Sequence, residues 1–324
     1  MERDTYTYSQ LSSDTVRNLV EMHYELPPLT HCRFYVLGLH DNYLIEANQK
    51  KYILRLYRNN WRSREDVLFE LELLAFLGER TELVAFPIRT NKDGLSFSID
   101  CPEGQREAAL FPYARGQAPG DEISIKDSHL LGNAVAQIHS LTDDFIPSYE
   151  RCILDIPYLL DDSVAAIASF LDSSSRVYIK TLQKRLHKAI PPLSQEQALF
   201  GICIGDVNAT NFHIDEHRRL TLFDFDQCGY GYRSFEIGKY LSSLPSGIKR
   251  QALTDAFLDG YEQIRELSQT EHSSIPYFEI ISVIWVMAIH VYNVDRTGYK
   301  WLEGPFWNRR LAILRALDKN TPWS

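Results

Sequence analysis

The first third of the chain shows one helical pattern followed by two alternating patterns. Residues 12–23 place apolar side chains at the spacing of an amphipathic helix. Residues 33–47 and 50–58 alternate apolar and polar positions, which is typical of strands that bury one face. We predict that these two alternating runs pair as a hairpin in a small sheet.

A stronger helical pattern runs from Ser63 to Gly78. Ser63 is a residue type that caps helix N-termini, and the acidic residues 65 and 66 favour the positive end of the helix dipole. Apolar residues then recur at helical spacing, at Val67, Leu71, Leu74 and Leu77. The pattern predicts one main amphipathic helix beside the small sheet.

Two further strands are predicted at residues 86–89 and 108–112, before the glycine- and proline-containing loop "YARGQAPGD". This loop separates two predicted domains, residues 1–115 and 116–324. Most of the second domain shows helical patterns, at residues 128–141, 156–172, 175–188, 234–244, 249–267, 277–293 and 306–317. The exception is "NFHIDEHRRLTLFDFD", where two strands flank a polar turn at residues 215–218.

Composition and charge narrow the class of protein. A chain of 324 residues with 44% hydrophobic and 24% charged residues is an ordinary globular chain, long enough for two domains. The net charge of -9 means that nucleic acid is not an expected partner. Five cysteines without a CxxC pair argue against a disulfide framework and a zinc knuckle, so we expect a reducing cytoplasm.

We expect no membrane partner either. The longest apolar run, residues 280–294, is interrupted by Ser282, His290 and Asn293 and is predicted to be a core helix. The first ten residues, "MERDTYTYSQ", show neither a secretory signal nor a lipidation pattern.

Polar residues that suit phosphoryl transfer follow two predicted strands. In "CIGDVNATNFHID", Asp206 ends an apolar strand and Asn211 comes five residues later, while the strand "LTLF" leads directly to Asp224. Because the hairpin folds the chain back, the three side chains can converge at one sheet edge. Carboxylate and amide oxygens suit Mg²⁺, and a further carboxylate can orient an acceptor hydroxyl. Each residue alone is also an ordinary turn or cap residue, so the combination carries the prediction.

The pattern resembles the aminoglycoside phosphotransferase and choline kinase superfamily, the small-molecule branch of the protein-kinase-like fold, over roughly the whole chain. The stretch "IGDVNATN" is similar to the His-Gly-Asp-x-x-x-x-Asn loop of that family, and "LFDFD" is similar to its metal-binding strand. The resemblance implies that Asp206 is the catalytic base or hydroxyl-orienting residue and that Asn211 and Asp224 bind Mg²⁺. It also implies that Asp226 lies behind the metal ligands.

The N-terminal domain resembles the same family. The run "YILRLYR" stands where the family has the strand with its phosphate-binding Lys, here Arg55, and "FELELLAFL" stands where a Glu, here Glu70, pairs with that cation. We expect these two side chains to form an ion pair. Asn42 stands in the nucleotide-covering loop, and Phe111 and Tyr113 stand in the interlobe hinge. The resemblance therefore implies that all five residues contribute to ATP binding.

The implied fold class is α+β: a two-lobed protein-kinase-like fold with a small antiparallel-sheet N-lobe, one main helix and a larger, mostly helical C-lobe. Residues 1–115 would bind the nucleotide, and residues 116–324 would supply catalysis and bind the acceptor. The implied activity is ATP- and Mg²⁺-dependent transfer of the γ-phosphoryl group to a hydroxyl of a small molecule, namely an antibiotic, amino alcohol or metabolite. Two alternatives stay open: a Ser/Thr kinase that acts on a protein or modified peptide, and a non-catalytic nucleotide-binding module.

Two residues depart from the family pattern. Ile204 stands in place of the family's His before Gly-Asp, a His that braces the loop by hydrogen bonding. Arg55 stands in place of Lys, and its guanidinium is permanently charged and can fork onto two phosphate oxygens. Both departures motivate the non-catalytic alternative. The run "HIDEH" resembles a metal-ligand cluster, but it spans a tight turn, so we predict a turn and not a zinc site.

Overall fold

A computed structural model describes residues 6–190 and 199–323, and within it the chain forms two compact units. The first unit contains the residues up to Gln117, Phe145–Arg151 and Phe212–Phe223. The second unit contains Ala118–Asp144, Cys152–Asn211 and the residues from Asp224 onward. The nucleotide-binding and acceptor-binding roles assigned to the two predicted domains remain predictions.

The first unit is built on a five-stranded antiparallel sheet in the order β1-β2-β3-β5-β4. Its strands are β1 Leu29–Leu37, β2 Asp41–Ala47, β3 Lys50–Leu56, β4 Phe97–Cys101 and β5 Gly104–Pro112. Its helices are α1 Ser13–His23 and α2 Arg64–Gly78. The predicted cap is confirmed, because Ser63 Oγ accepts the Asp66 N–H at 3.0 Å and Asp66 Oδ2 accepts the Ser63 N–H at 3.0 Å.

Two strand predictions in this unit need correction. The run 33–47 holds two strands and not one, because Gly38 and His40 close a turn within it, so β1, β2 and β3 form a meander. Residues 86–89 are not a strand; only Ile88 bridges to β5. Pro87 lacks the N–H that a sheet ladder needs, and the strand that pairs with the outer side of β5 is the unpredicted β4.

The second unit is mostly helical, with a two-stranded antiparallel sheet of β6 Phe200–Cys203 and β9 Gly229–Tyr232. The predicted hairpin is present as β7 Phe212–Ile214 and β8 Leu220–Leu222, and its strands belong to the first unit. The helices are α3 Ile125–Leu141, α4 Ser163–Ile167, α5 Ser173–Ala189, α6 Arg233–Ser243, α7 Lys249–Glu262, α8 Gln269–Tyr292, α9 Val294–Thr297 and α10 Gly304–Asn320.

Three predicted helices differ most from the limits seen in the structure. The stretch 156–172 is a π-helical turn, Pro157–Asp162, followed by the short α4 and a 3₁₀ turn. Helix α7 ends at Glu262, earlier than expected. Helix α8 begins before Pro276, because Ser268 and Glu271 form a reciprocal cap at its N-terminus.

Helix α8 forms the centre of the second unit's hydrophobic core. Its apolar side chains pack with those of the helices and strands around it, and Phe278, Ile281, Ile284 and Trp285 are buried. Among the described residues, α8 is the one helix whose length and composition would suit a membrane span. Because 67% of its most apolar window is buried inside the protein, the prediction of a core helix fits its packing.

A buried ion pair holds the sheet of the first unit together. Arg106 on β5 is fully buried, and its Nη2 lies 2.7 Å from Asp41 Oδ2 on β2. Its Nε donates to the Tyr57 carbonyl at 2.8 Å, and its Nη1 lies 3.3 Å from Glu103 Oε1. The guanidinium therefore pairs with two carboxylates that are buried away from solvent.

We predict that Arg106→Met lowers the free energy of unfolding by about 3–5 kcal/mol, because removing one partner leaves buried carboxylates uncompensated. Urea denaturation followed by circular dichroism measures the change. The matched control is Arg33→Met, since the Arg33 side chain is 64% exposed and lies 3.6 Å from Glu46. An equal effect of the two substitutions would show that the buried pair contributes no more than a surface pair.

Candidate active site

The loop that leads into Asp206 is held by a carboxylate on α6. Glu236 is buried, and its two oxygens accept the backbone N–H groups of Ile204 and Gly205, the latter at 3.0 Å. Gly205 has a φ of 87°, and a Cβ there would lie 2.0 Å from the Gln227 carbonyl oxygen. A residue with a side chain does not fit at this position, so Glu236 and Gly205 together determine the path of the loop.

A second buried polar contact lies behind Glu236. His139 at the end of α3 has its Nε2 3.5 Å from Glu236 and its Nδ1 2.8 Å from the Tyr261 hydroxyl. Burial lowers the pKa of His139 and raises that of Cys203, the third residue of this cluster. Both Glu236 oxygens already accept backbone N–H groups, and a thiol with a raised pKa is a poor metal ligand. We therefore interpret this cluster as structural.

The carboxylate of Asp206 is held from two sides. Its Oδ1 lies 2.6 Å from Lys239 Nζ, and its Oδ2 accepts a hydrogen bond from Asn211 Nδ2 at 3.0 Å. Lys239 is buried on α6, whereas one third (33%) of the Asp206 side chain remains exposed. The Asp206 carboxylate is thus held in one orientation and keeps one open side.

Asn211 and Asp224 offer oxygen atoms of the kind that Mg²⁺ takes. The Asn211 amide nitrogen contacts Asp206, which leaves Oδ1 as the atom suited to a metal ion. Asp224 follows β8 with a φ of 66°, a left-handed conformation that is uncommon outside glycine. Asp226 is buried and accepts a hydrogen bond from Gln227 at 3.0 Å, so it lies in the interior of the protein.

The predicted ion pair of the first unit is confirmed. Arg55 Nη1 on β3 lies 3.2 Å from Glu70 Oε1 on α2, with the two side chains 11% and 1% exposed. Asn42 stands opposite Arg55 in the β2–β3 ladder, and the Phe111 ring centroid lies 5.8 Å from the guanidinium carbon. Three of the predicted nucleotide-binding residues, Asn42, Glu70 and Phe111, therefore lie around the fourth, Arg55.

Tyr113 lies further along, directly after β5. Its hydroxyl is 3.2 Å from the Tyr35 hydroxyl, and this hydrogen bond together with burial raises the pKa of Tyr113 to about 12. The Tyr113 ring also packs 5.6 Å from the His213 ring, whose Nδ1 lies 2.8 Å from the Ala114 carbonyl. In the "HIDEH" run, Asp215 accepts backbone N–H groups at 2.9 Å, so the predicted turn is present.

A pocket of about 300 Å³ in the second unit has Asp206 on its wall. Lys239 and the hydroxyl-bearing Ser242 line it from α6, and Val283 and Val286 line it from α8. Arg310 of α10 also lines the pocket. A small cavity with a carboxylate, hydroxyl groups and partly apolar walls has the features of a site for a small organic molecule.

The profile of the phosphotransferase enzyme family matches residues 33–270. The chain belongs to this family. An uncharacterized protein of Synechocystis sp. is 38% identical to it over 98% of this chain and 88% of its own length. The homoserine kinase of Neisseria meningitidis is 23% identical over 90% of this chain and 93% of its own length.

Solved structures show the same fold. The microcompartment-associated aminopropanol kinase has a TM-score of 0.78 at 19% identity, with 94% of this chain and 95% of that chain covered. An amicoumacin kinase in complex with AMP-PNP, Ca²⁺ and its ligand has a TM-score of 0.79 at 18% identity, covering 97% and 95%. These structures confirm the predicted protein-kinase-like fold, and the family confirms that the protein is a kinase.

Three residues at this site were not predicted from the sequence: Glu236, Lys239 and Arg310. The stretch "GYRSFEIGKY" attracts attention only as a failed P-loop pattern. The available signal was the i, i+3 spacing of Glu236 and Lys239, which places two opposite charges on one helix face. Arg310 has no local signal, because its place in the pocket depends on how α10 packs.

We predict that Glu236→Gln lowers the free energy of unfolding by about 1–3 kcal/mol, because the new amide nitrogen would face a backbone N–H donor. Native-state hydrogen exchange should also quicken at the Ile204 and Gly205 amides. The control is Glu262→Gln, which removes a partly exposed contact 2.9 Å from His272. Unchanged exchange at both amides would mean that Glu236 does not hold the loop.

Proposed function

We propose that the protein is an ATP- and Mg²⁺-dependent kinase that transfers the γ-phosphoryl group to a hydroxyl of a small molecule. The observation that carries the proposal is the Asp206 carboxylate, which Lys239 and Asn211 hold at the wall of a pocket of about 300 Å³. This volume suits a metabolite-sized acceptor better than an extended peptide. Aminopropanol, amicoumacin and homoserine kinases, similar to this chain, are named for small acceptors.

In the proposed reaction, the acceptor oxygen bonds to the γ-phosphorus while that phosphorus loses its bond to the β–γ bridging oxygen. ADP leaves with the electron pair of the broken bond, and Asp206 accepts the hydroxyl proton. Asn211 and Lys239 hold the two carboxylate oxygens of Asp206, so the base is oriented before the acceptor arrives. The acceptor is aligned by this arrangement and by the pocket wall.

The donor residues fit a divalent cation. The oxygens of Asn211 and Asp224 are hard ligands, and Mg²⁺ typically takes one or two protein oxygens together with substrate phosphates. Asp224 holds a left-handed backbone conformation, and such conformations concentrate at functional sites. Bound Mg²⁺ would neutralise charge on the phosphates. In the same proposal, Asp226 supports the chain next to Asp224 from the protein interior.

The nucleotide phosphates would be bound by Arg55. Glu70 holds its guanidinium in one orientation beside the Phe111 ring, which is how a forked cation is aimed at phosphate oxygens. Asn42 and Tyr113 would contact the nucleotide from β2 and from the end of β5. Arg55 therefore replaces the lysine of the related kinases with a charge that has the same acidic partner.

The loss of the family's His at Ile204 does not favour the non-catalytic alternative. Ile204 is buried, and the loop is held instead through the backbone N–H groups of Ile204 and Gly205. The side chain at position 204 can therefore change without releasing the loop. This supports an active enzyme.

The decisive test is Asp206→Asn. We expect the dissociation constant for ATP to stay nearly unchanged while turnover falls by about 10²- to 10⁴-fold, because proton acceptance is lost only in the transition state. Calorimetry with Mg²⁺-ATP and transfer assays on a panel of small hydroxyl compounds and peptides provide the two readouts. Asp259→Asn, at an exposed position on α7, is the control. Equal turnover, or no transfer by the wild type to any compound, would favour the nucleotide-binding module.

A separate prediction concerns Asp224. Replacing it by Gly keeps the left-handed backbone accessible and removes only the carboxylate, whereas Ala also strains the backbone. Mg²⁺ should increase the ATP affinity of the wild type, and we expect this increase to be about 10- to 100-fold smaller in both variants. Calorimetry with and without Mg²⁺ measures this difference. If Asp224→Gly keeps the full metal dependence, Asp224 is not a ligand.

A further inference from the structure

Arg310 is a cation on the pocket wall without an acidic partner in the described part of the chain. It is half-buried on α10, and no carboxylate among residues 6–190 and 199–323 lies within ion-pair distance of it. Its guanidinium carbon lies 5.6 Å from the Phe306 ring centroid. Burial and the neighbouring Arg309 lower the pKa of Arg310.

The other charges of the pocket do not compensate for Arg310. Asp206 is matched by Lys239 at 2.6 Å. Asp121, the second acid on the wall, is exposed to solvent. Ile123 and Val286 add apolar surface to the pocket, and Ser242 and Ser243 add hydroxyl groups. The pocket therefore combines a carboxylate paired with Lys239, partly apolar walls and a cation, Arg310, that makes no ion pair with the described residues.

We propose that the acceptor carries an oxyanionic group, a carboxylate or a phosphate, that pairs with Arg310 while its hydroxyl lies at Asp206. This inference rests on the proposed function and names the class of its substrate. A guanidinium binds two oxygens of one anion through parallel hydrogen bonds, and a partly desolvated cation attracts such an anion strongly. An amino alcohol or a polycationic antibiotic would instead bring a second positive charge next to Arg310 and would be rejected.

The competing explanation is that Arg310 only packs on the Phe306 ring of its own helix, α10, and binds no ligand. Two features distinguish the two explanations. If Arg310 only packs on Phe306, replacing it should change the KM of charged and neutral acceptors alike. An acceptor-binding role changes the affinity for anionic compounds selectively.

The first experiment compares hydroxy compounds of equal length that differ in their other end group. Hydroxy acids, their amides, amino alcohols and hydroxyalkyl phosphates are incubated with the wild type and Mg²⁺-ATP, and ADP release is measured. We expect kcat/KM for the preferred anionic series to exceed that for the neutral amides by about 10- to 100-fold. The comparison of acids with phosphates identifies the anion. Equal or better transfer to amides or amino alcohols would overturn the proposal.

The second experiment uses Arg310→Ala and Arg310→Lys with Arg309→Ala as the matched control, since Arg309 is the exposed neighbour on the same helix. We expect Arg310→Ala to raise KM for the anionic acceptor by about 10- to 100-fold and to abolish the discrimination against the amide. Arg310→Lys keeps the charge without the fork and should recover part of the affinity. Arg309→Ala should behave as wild type, and an Arg310→Ala variant with the same KM as Arg309→Ala would refute the assignment.

Direct binding measurements test the anion subsite at Arg310 separately from the proposed kinase activity. Calorimetry of the wild type and the Arg310 variants with the hydroxy acids and hydroxyalkyl phosphates, without ATP, measures the anion subsite alone. Absence of phosphoryl transfer to every compound would reject the proposed function, while Arg310-dependent anion binding would still support the subsite. Transfer to neutral acceptors with no Arg310-dependent binding would reject the subsite and leave the proposed function in place.

Discussion

The candidate active site depends on one contact: the Glu236 carboxylate accepts two backbone N–H groups. It ties the loop at Ile204 and Gly205 to α6, and the close approach of Gly205 to the Gln227 carbonyl leaves that loop a single path. Lys239 lies three residues further along the same helix and holds the Asp206 carboxylate. One helix therefore positions both the backbone and the side chain of the proposed base.

This arrangement explains how the proposed chemistry is compatible with the two departures from the family pattern. A loop braced by a histidine side chain depends on the residue at position 204, but a loop braced through amide groups does not. In the first unit, Arg55 has the acidic partner, Glu70, that the family provides for a lysine. In this chain, Glu236 holds the loop through backbone amides and Glu70 orients Arg55.

The elements with strong local signals were predicted well from the sequence. Helix α2 has a capping pair and a regular apolar spacing, and the β7–β8 hairpin has a polar turn between two short apolar runs. The incorrect predictions occurred where local signals were weak or misleading. Residues 86–89 look apolar but contain Pro87, and α8 continues through Pro276 because packing on both sides of the helix outweighs the lost hydrogen bond.

The sequence by itself indicated the class of enzyme, because "IGDVNATN" and "LFDFD" resemble the motifs of the phosphotransferase family whose profile matches residues 33–270. The Arg55–Glu70 pair was predicted from the resemblance of "YILRLYR" and "FELELLAFL" to the family, and the structure confirms it. Only the tertiary structure decided which groups surround Asp206 and what charge the pocket presents. Lys239 and Arg310 lie 33 and 104 residues from Asp206 along the chain, and no local pattern encodes such distant contacts. They arise from the packing of α6, α8 and α10, which depends on the whole core.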